Sequence, residues 1–79
     1  MCERGDVEIL CIGGHLVDVD RCIAPIIVAL NAAGLPTRAS CCGHGRQPGR
    51  ISLRDGREIF IAASYNQAQA ISAVFPPLS

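Results

Sequence analysis

The chain is 79 residues long with a formal net charge of zero and 49% hydrophobic residues, which describes one globular domain, residues 1–79, rather than a disordered tail. At this size a hydrophobic core alone contributes only a few kcal/mol, so an added staple, a metal or a partner subunit, is in keeping with the length. No apolar run reaches the roughly 18 residues needed to cross a bilayer, and the N-terminus carries Glu3, Asp6 and Glu8 instead of a basic signal region; no membrane partner is expected, and a reducing cytoplasm is the expected setting. There, five cysteines, an odd number, point to thiols or metal ligands before disulfides.

Residues 7–12 and 15–19 flank Gly13-Gly14 as two strands joined by a two-residue turn. In that register Leu10, Ile12, Val17 and Val19 share the core face, and Cys11 falls opposite His15, which weakens a Cys11/His15 ligand pair and leaves Cys11 as a buried small hydrophobe. Residues 22–33 place Ile23, Ile26, Ile27, Leu30 and Ala33 at helical spacing, with Asp20 as a cap, Pro25 in the first turn, and Gly34 and Pro36 as the stop. Cys22 then sits at the helix start, where the dipole favours a thiolate, or packs beneath the first turn.

Residues 37–41 form a short strand leading into a glycine-rich loop, and residues 50–61 a second hairpin around Asp55-Gly56. A three-residue turn with Gly56 left-handed aligns Ile51, Leu53, Ile59 and Ile61, whereas a two-residue turn would put Glu58 and Phe60 beside Ile51 and Leu53; the bulged turn is expected. Ser64-x-x-Gln67 is a capping box, followed by a helix to about Val74 with Tyr65, Ala68, Ile71 and Phe75 as its buried side. The order ββαβββα predicts a small two-layer α+β domain: a mainly antiparallel sheet of about five strands with two helices on one face.

The chemistry concentrates at Cys41-Cys42-Gly43-His44. A single glycine between thiolate and imidazole lets Cys42 and His44 converge on one ion. A structural zinc takes four such ligands, and Cys2 and Cys22 are the remote candidates, with Cys41 able to replace one of the set. A thiolate of Cys42 or Cys41 with His44 as base is the enzymatic alternative, though no third group to orient His44 is evident. All seven basic residues are arginine, and residues 38–58 hold five of them against Asp55 and Glu58. Arg46, Arg50, Arg54 and Arg57 are candidates for a recognition surface, since arginine suits planar contacts with carboxylate or phosphate. Nucleic-acid binding through this hairpin is a further alternative, not favoured by the scarcity of aromatic residues.

Met1-Cys2-Glu3-Arg4-Gly5-Asp6, Val19-Asp20-Arg21-Cys22-Ile23-Ala24-Pro25 with Ala29-Leu30-Asn31, Ser40-Cys41-Cys42-Gly43-His44-Gly45 and Asp55-Gly56-Arg57 together resemble a group of small proteins of actinobacterial phages and prophages. The resemblance spans roughly residues 1–61, with a shorter first hairpin in this chain. It implies a phage accessory protein acting on an unidentified host or phage macromolecule, with Cys2, Cys22, Cys41, Cys42 and His44 as motif positions.

Overall fold

Glycines at 13 and 14 close the first hairpin with no residue to spare: β1 (Val7–Ile12) pairs antiparallel with β2 (His15–Asp20), Ile12 opposite His15 and Leu10 opposite Val17. The computed structural model describes residues 6–74. A 3-10 turn, Arg21–Ile23, leads into α1 (Ala24–Ala32), with Pro25 in the first turn. The helix ends where Leu35 N–H donates to Leu30 O at 2.9 Å and Gly34 N–H to Asn31 O at 3.2 Å. A second antiparallel sheet, in the order β3-β4-β5, is built from β3 (Thr37–Cys41), β4 (Gly49–Leu53) and β5 (Glu58–Ile61). The last element, α2 (Tyr65–Val74), follows the expected cap: Gln67 N–H donates to Ser64 Oγ at 3.2 Å, while the Gln67 side chain accepts from Ala63 N–H at 2.7 Å. No described helix is long and apolar enough to cross a membrane.

The α+β class and the element order are those the pattern predicts, but the five strands divide between two sheets and the two helices lie on opposite sides of the larger one instead of sharing a face. The core lies beneath α1. Ile12 and Val19 of the hairpin, Ile23, Ala24 and Ile27 of the turn and helix, and Ile51 and Leu53 of β4 are buried around Cys42, with Leu10, Val17, Leu30, Ile59 and Ile61 packed against them. The polar link between helix and sheet is Asn31. Its amide donates to Ile27 O at 2.8 Å and to Thr37 Oγ1 at 3.0 Å, and its carbonyl accepts from Thr37 N–H at 3.3 Å, so the buried Thr37 is satisfied. Pairing of β4 with β5 places Ile51 opposite Ile59 and Ser52 opposite Glu58. Leu53 N–H donates to Arg57 O, Gly56 N–H to Leu53 O, and Gly56 has φ 94°: this is the three-residue bulged turn, and it keeps the four apolar residues on the core side.

α1 covers the Ile51 side of the sheet, whereas Ala70, Ile71 and Val74 of α2 border a groove shared with Cys41, Arg50 and Phe60, which alternate to the other side. Three burial expectations are corrected. Cys11 is exposed because it pairs with Leu16, itself 78% exposed, on the outer face of the hairpin. Ile26 is 40% exposed and Ala33 is exposed, the core stripe of α1 being the narrower set Ile23, Ile27 and Leu30. Tyr65 is 77% exposed because it opens α2 ahead of the residues that border the groove; Ala68 and Ile71 are half-buried, and Phe75 lies outside the described residues.

Candidate metal centre

β2 and β3 belong to different sheets, yet both deliver their last residue, Asp20 and Cys41, to one place. There the ligand atoms of Asp20, Cys41 and His44 all lie within 4.8 Å of one another, each residue half-buried. The sequence pattern makes Asp20 a helix cap, and the structure corrects this. The 3-10 turn after it has no side-chain cap bond; its Oδ2 instead accepts the Cys42 N–H at 2.7 Å, tying hairpin to loop.

The loop owes its shape to a change of backbone hand. Cys42 is right-handed helical (φ −79°, ψ −6°), and Gly43, His44 and Gly45 then follow at φ 79°, 53° and 76°. Glycine takes such angles freely, while histidine does so at a cost. A Cβ on Gly43 would also lie 3.0 Å from Pro48 O, so the loop closes on itself at that point. The reversal aims successive amides inward: Gly43 N–H donates to Cys41 Sγ at 3.4 Å and His44 N–H to Cys42 Sγ at 3.3 Å. Donors of this kind remain available to a sulfur that also ligates a metal.

One carboxylate oxygen, one thiol sulfur and one imidazole nitrogen make a borderline-soft donor set of the kind first-row transition ions such as zinc take, unlike the all-oxygen sets of calcium and magnesium. Zinc bonds of about 2.0–2.3 Å would place tetrahedral ligands roughly 3.5 Å apart, so atoms within 4.8 Å of one another close by at most about 1.3 Å. Cys42 Sγ, 3.7 Å from His44 Nδ1, already stands at such a separation. Among the residues expected to bind metal, the structure therefore brings Cys41 and His44 together, with Cys42 fully buried beside them. Cys22 is exposed in the 3-10 turn and stands outside the group; Cys2 lies outside the described residues. Sequence reasoning missed Asp20 as a ligand. Its signal was a carboxylate at the end of a strand, two residues before a cysteine.

The arginine candidates do not form one patch. Arg50 is ion-paired with Glu58, lies 5.8 Å from the Phe60 ring centroid, and shares Glu58 with Ser52. Arg57 pairs with Asp55 at 2.6 Å. These partners hold the Glu58 and Asp55 carboxyls below their ordinary values, chiefly through hydrogen bonds from Arg50 and Arg57. The Arg54 guanidinium lies against Gly13 at the tip of the first hairpin, and Arg46 is exposed in the loop. Comparison with family models, curated proteins and solved structures gives no match, so the chemistry rests on the chain's own residues.

Proposed function

We propose that the protein is a small zinc-binding domain of the phage accessory type, working in the host cytoplasm, whose ion is structural and whose action is capture of a host or phage macromolecule. The observation that carries this reading is the convergence of Asp20, Cys41 and His44 from two separate sheets and a loop. Zinc would supply the bond between them, and Cys42, its Sγ 3.7 Å from His44 Nδ1, offers a further sulfur for the fourth position. Full burial keeps Cys42 Sγ from a substrate, which favours a structural ion over a Cys42–His44 nucleophile. For the partner surface, Arg46 and Arg54, without a carboxylate partner among the described residues, are stronger contributors than the ion-paired Arg50 and Arg57.

The expected result is about one zinc per chain in protein purified under reducing conditions without added metal. Cys41→Ser and Asp20→Asn should each lower zinc content and melting temperature together. Metal-free protein in which every thiol titrates freely would overturn the reading. Tight zinc surviving Cys41→Ser but lost in Cys2→Ser or Cys22→Ser would move the site to the remote cysteines.

A further inference from the structure

Between the two sheets runs a cleft of about 270 Å³. Residues 17–19 of β2 and 37–40 of β3 line it in unbroken runs. Side chains alternate along a strand, so consecutive residues on one lining mean that the cleft follows strand edges rather than a sheet face. Both edges are open, since β2 pairs with β1 alone and β3 with β4 alone. Ile12, Val19 and Thr37 are buried and form the floor, while His15, Asp18, Arg38 and Arg54 are exposed along the rim.

The rim charges do not neutralise one another. The ion pairs among the described residues are Arg21–Asp6, Arg50–Glu58 and Arg57–Asp55, and none of them takes up Arg38, Arg54 or Asp18. Arg38 acts on Glu58 through charge alone, that carboxylate being bonded to Arg50 and Ser52. The Arg54 N–H donates to Pro36 O at 3.0 Å, which fixes the root of the side chain at the end of β4. Its guanidinium reaches the other sheet at Gly13, where an added Cβ would lie 3.1 Å from Nη2. Thr37 Oγ1 accepts from Asn31 at 3.0 Å and so retains its own proton to donate. His15 adds a ring N–H in either tautomer.

We infer that this cleft binds a small phosphomonoester that carries a hydroxyl group near its phosphate. Two guanidinium forks, with hydroxyl and edge amides beside them, suit phosphoryl oxygens. Asp18 would repel a bare anion, so a carboxylate on the same lining calls for a ligand that also brings a donor, the hydroxyl. The volume lies below the ~300 Å³ at which pockets for drug-sized ligands begin, which limits the ligand to one phosphate and a few carbons. This goes beyond the metal reading and does not rest on it: none of Asp20, Cys41 and His44 lines the cleft.

An NMR titration that follows the backbone amides of the full chain tests this, with glycerol phosphate, inorganic phosphate and acetate each taken to about 20 mM at constant ionic strength. Glycerol phosphate should bind saturably, with a dissociation constant of about a millimolar or tighter. The shifts should concentrate in residues 15–19, 37–40 and 54, and both other probes should bind more weakly. Arg38→Gln and Arg54→Gln should each weaken binding by about fivefold or more, and Asp18→Asn should remove the preference over inorganic phosphate. Arg57→Gln, whose partner is Asp55, should leave binding unchanged. If Arg38→Gln does not fold, Arg38→Lys keeps the charge, loses the fork and reads the same contact. The inference is overturned by an absence of saturable binding, by shifts centred on arginines outside the cleft, or by folded Arg38 and Arg54 variants that bind as the parent does. Acetate or inorganic phosphate binding as tightly as glycerol phosphate overturns it too.

Discussion

His44 sits at φ 53°, ψ 30°, a left-handed conformation that costs an L-residue with a Cβ about 1–2 kcal/mol. Its neighbours Gly43 and Gly45 share the hand without that cost, so the strain falls on the one residue whose side chain has chemistry to perform. A structural histidine could be placed more cheaply, and the proposed ion would compensate for this one. The two effects separate by substitution. His44→Gly and His44→Ala should both lose the ion, but in metal-free protein the glycine variant should be more stable than the alanine variant by about 1 kcal/mol, because only alanine retains the strain. Equal melting temperatures for the two would show that the loop relaxes to another conformation once the imidazole is gone.

The second hairpin shows how far pattern determines an element. Its turn length follows from requiring Ile51, Leu53, Ile59 and Ile61 on one side, and the structure has that register. The same requirement leaves Glu58 facing Arg50 and Ser52 on the other side, with its carboxyl held below the ordinary range, as Asp55 is by Arg57. A carboxyl whose folded-state pKa is depressed contributes stability above its ordinary unfolded value, and that contribution is lost as pH falls through the folded value. Glu58→Gln should therefore lower the melting temperature at neutral pH, and the gap to the parent should close in acid. A gap of the same size throughout would mean that the carboxyl acts through shape alone. Both carboxyls are solvent-accessible, so salt should shrink the gap as well. The first hairpin, the stop at Gly34 and the cap at Ser64 were legible for the same reason: each is decided within a few residues. Asp20 as a ligand, the full burial of Cys42 and the exposure of Ile26 were not. Those depend on which strand ends meet and which helix side is covered, distances in space that periodicity along the chain does not encode.

At the scale of the molecule, two sheets are joined without a shared ladder. α1 bridges them by packing, the Asp20–Cys42 hydrogen bond ties their ends, and the proposed ion would add the strongest link. The hairpin has one partner strand for each strand, while β4 lies between two. Removing metal with a chelator should accordingly speed amide hydrogen exchange in β1 and β2 more than in β4, the hairpin being the less stable unit. Equal acceleration everywhere would indicate that the two sheets unfold as one.

The site uses only one end of that hairpin. Asp20 closes β2, and Gly13-Gly14 lies at the opposite end, about 17 Å away along a strand of this length. Growth or trimming at the tip, matched on both strands, leaves every pairing from Leu10–Val17 to Val7–Asp20 in place. The glycine turn is thus the chain's natural splice point: a foreign peptide inserted between Gly13 and Gly14 would be displayed on an arm whose root stays fixed at the candidate metal site.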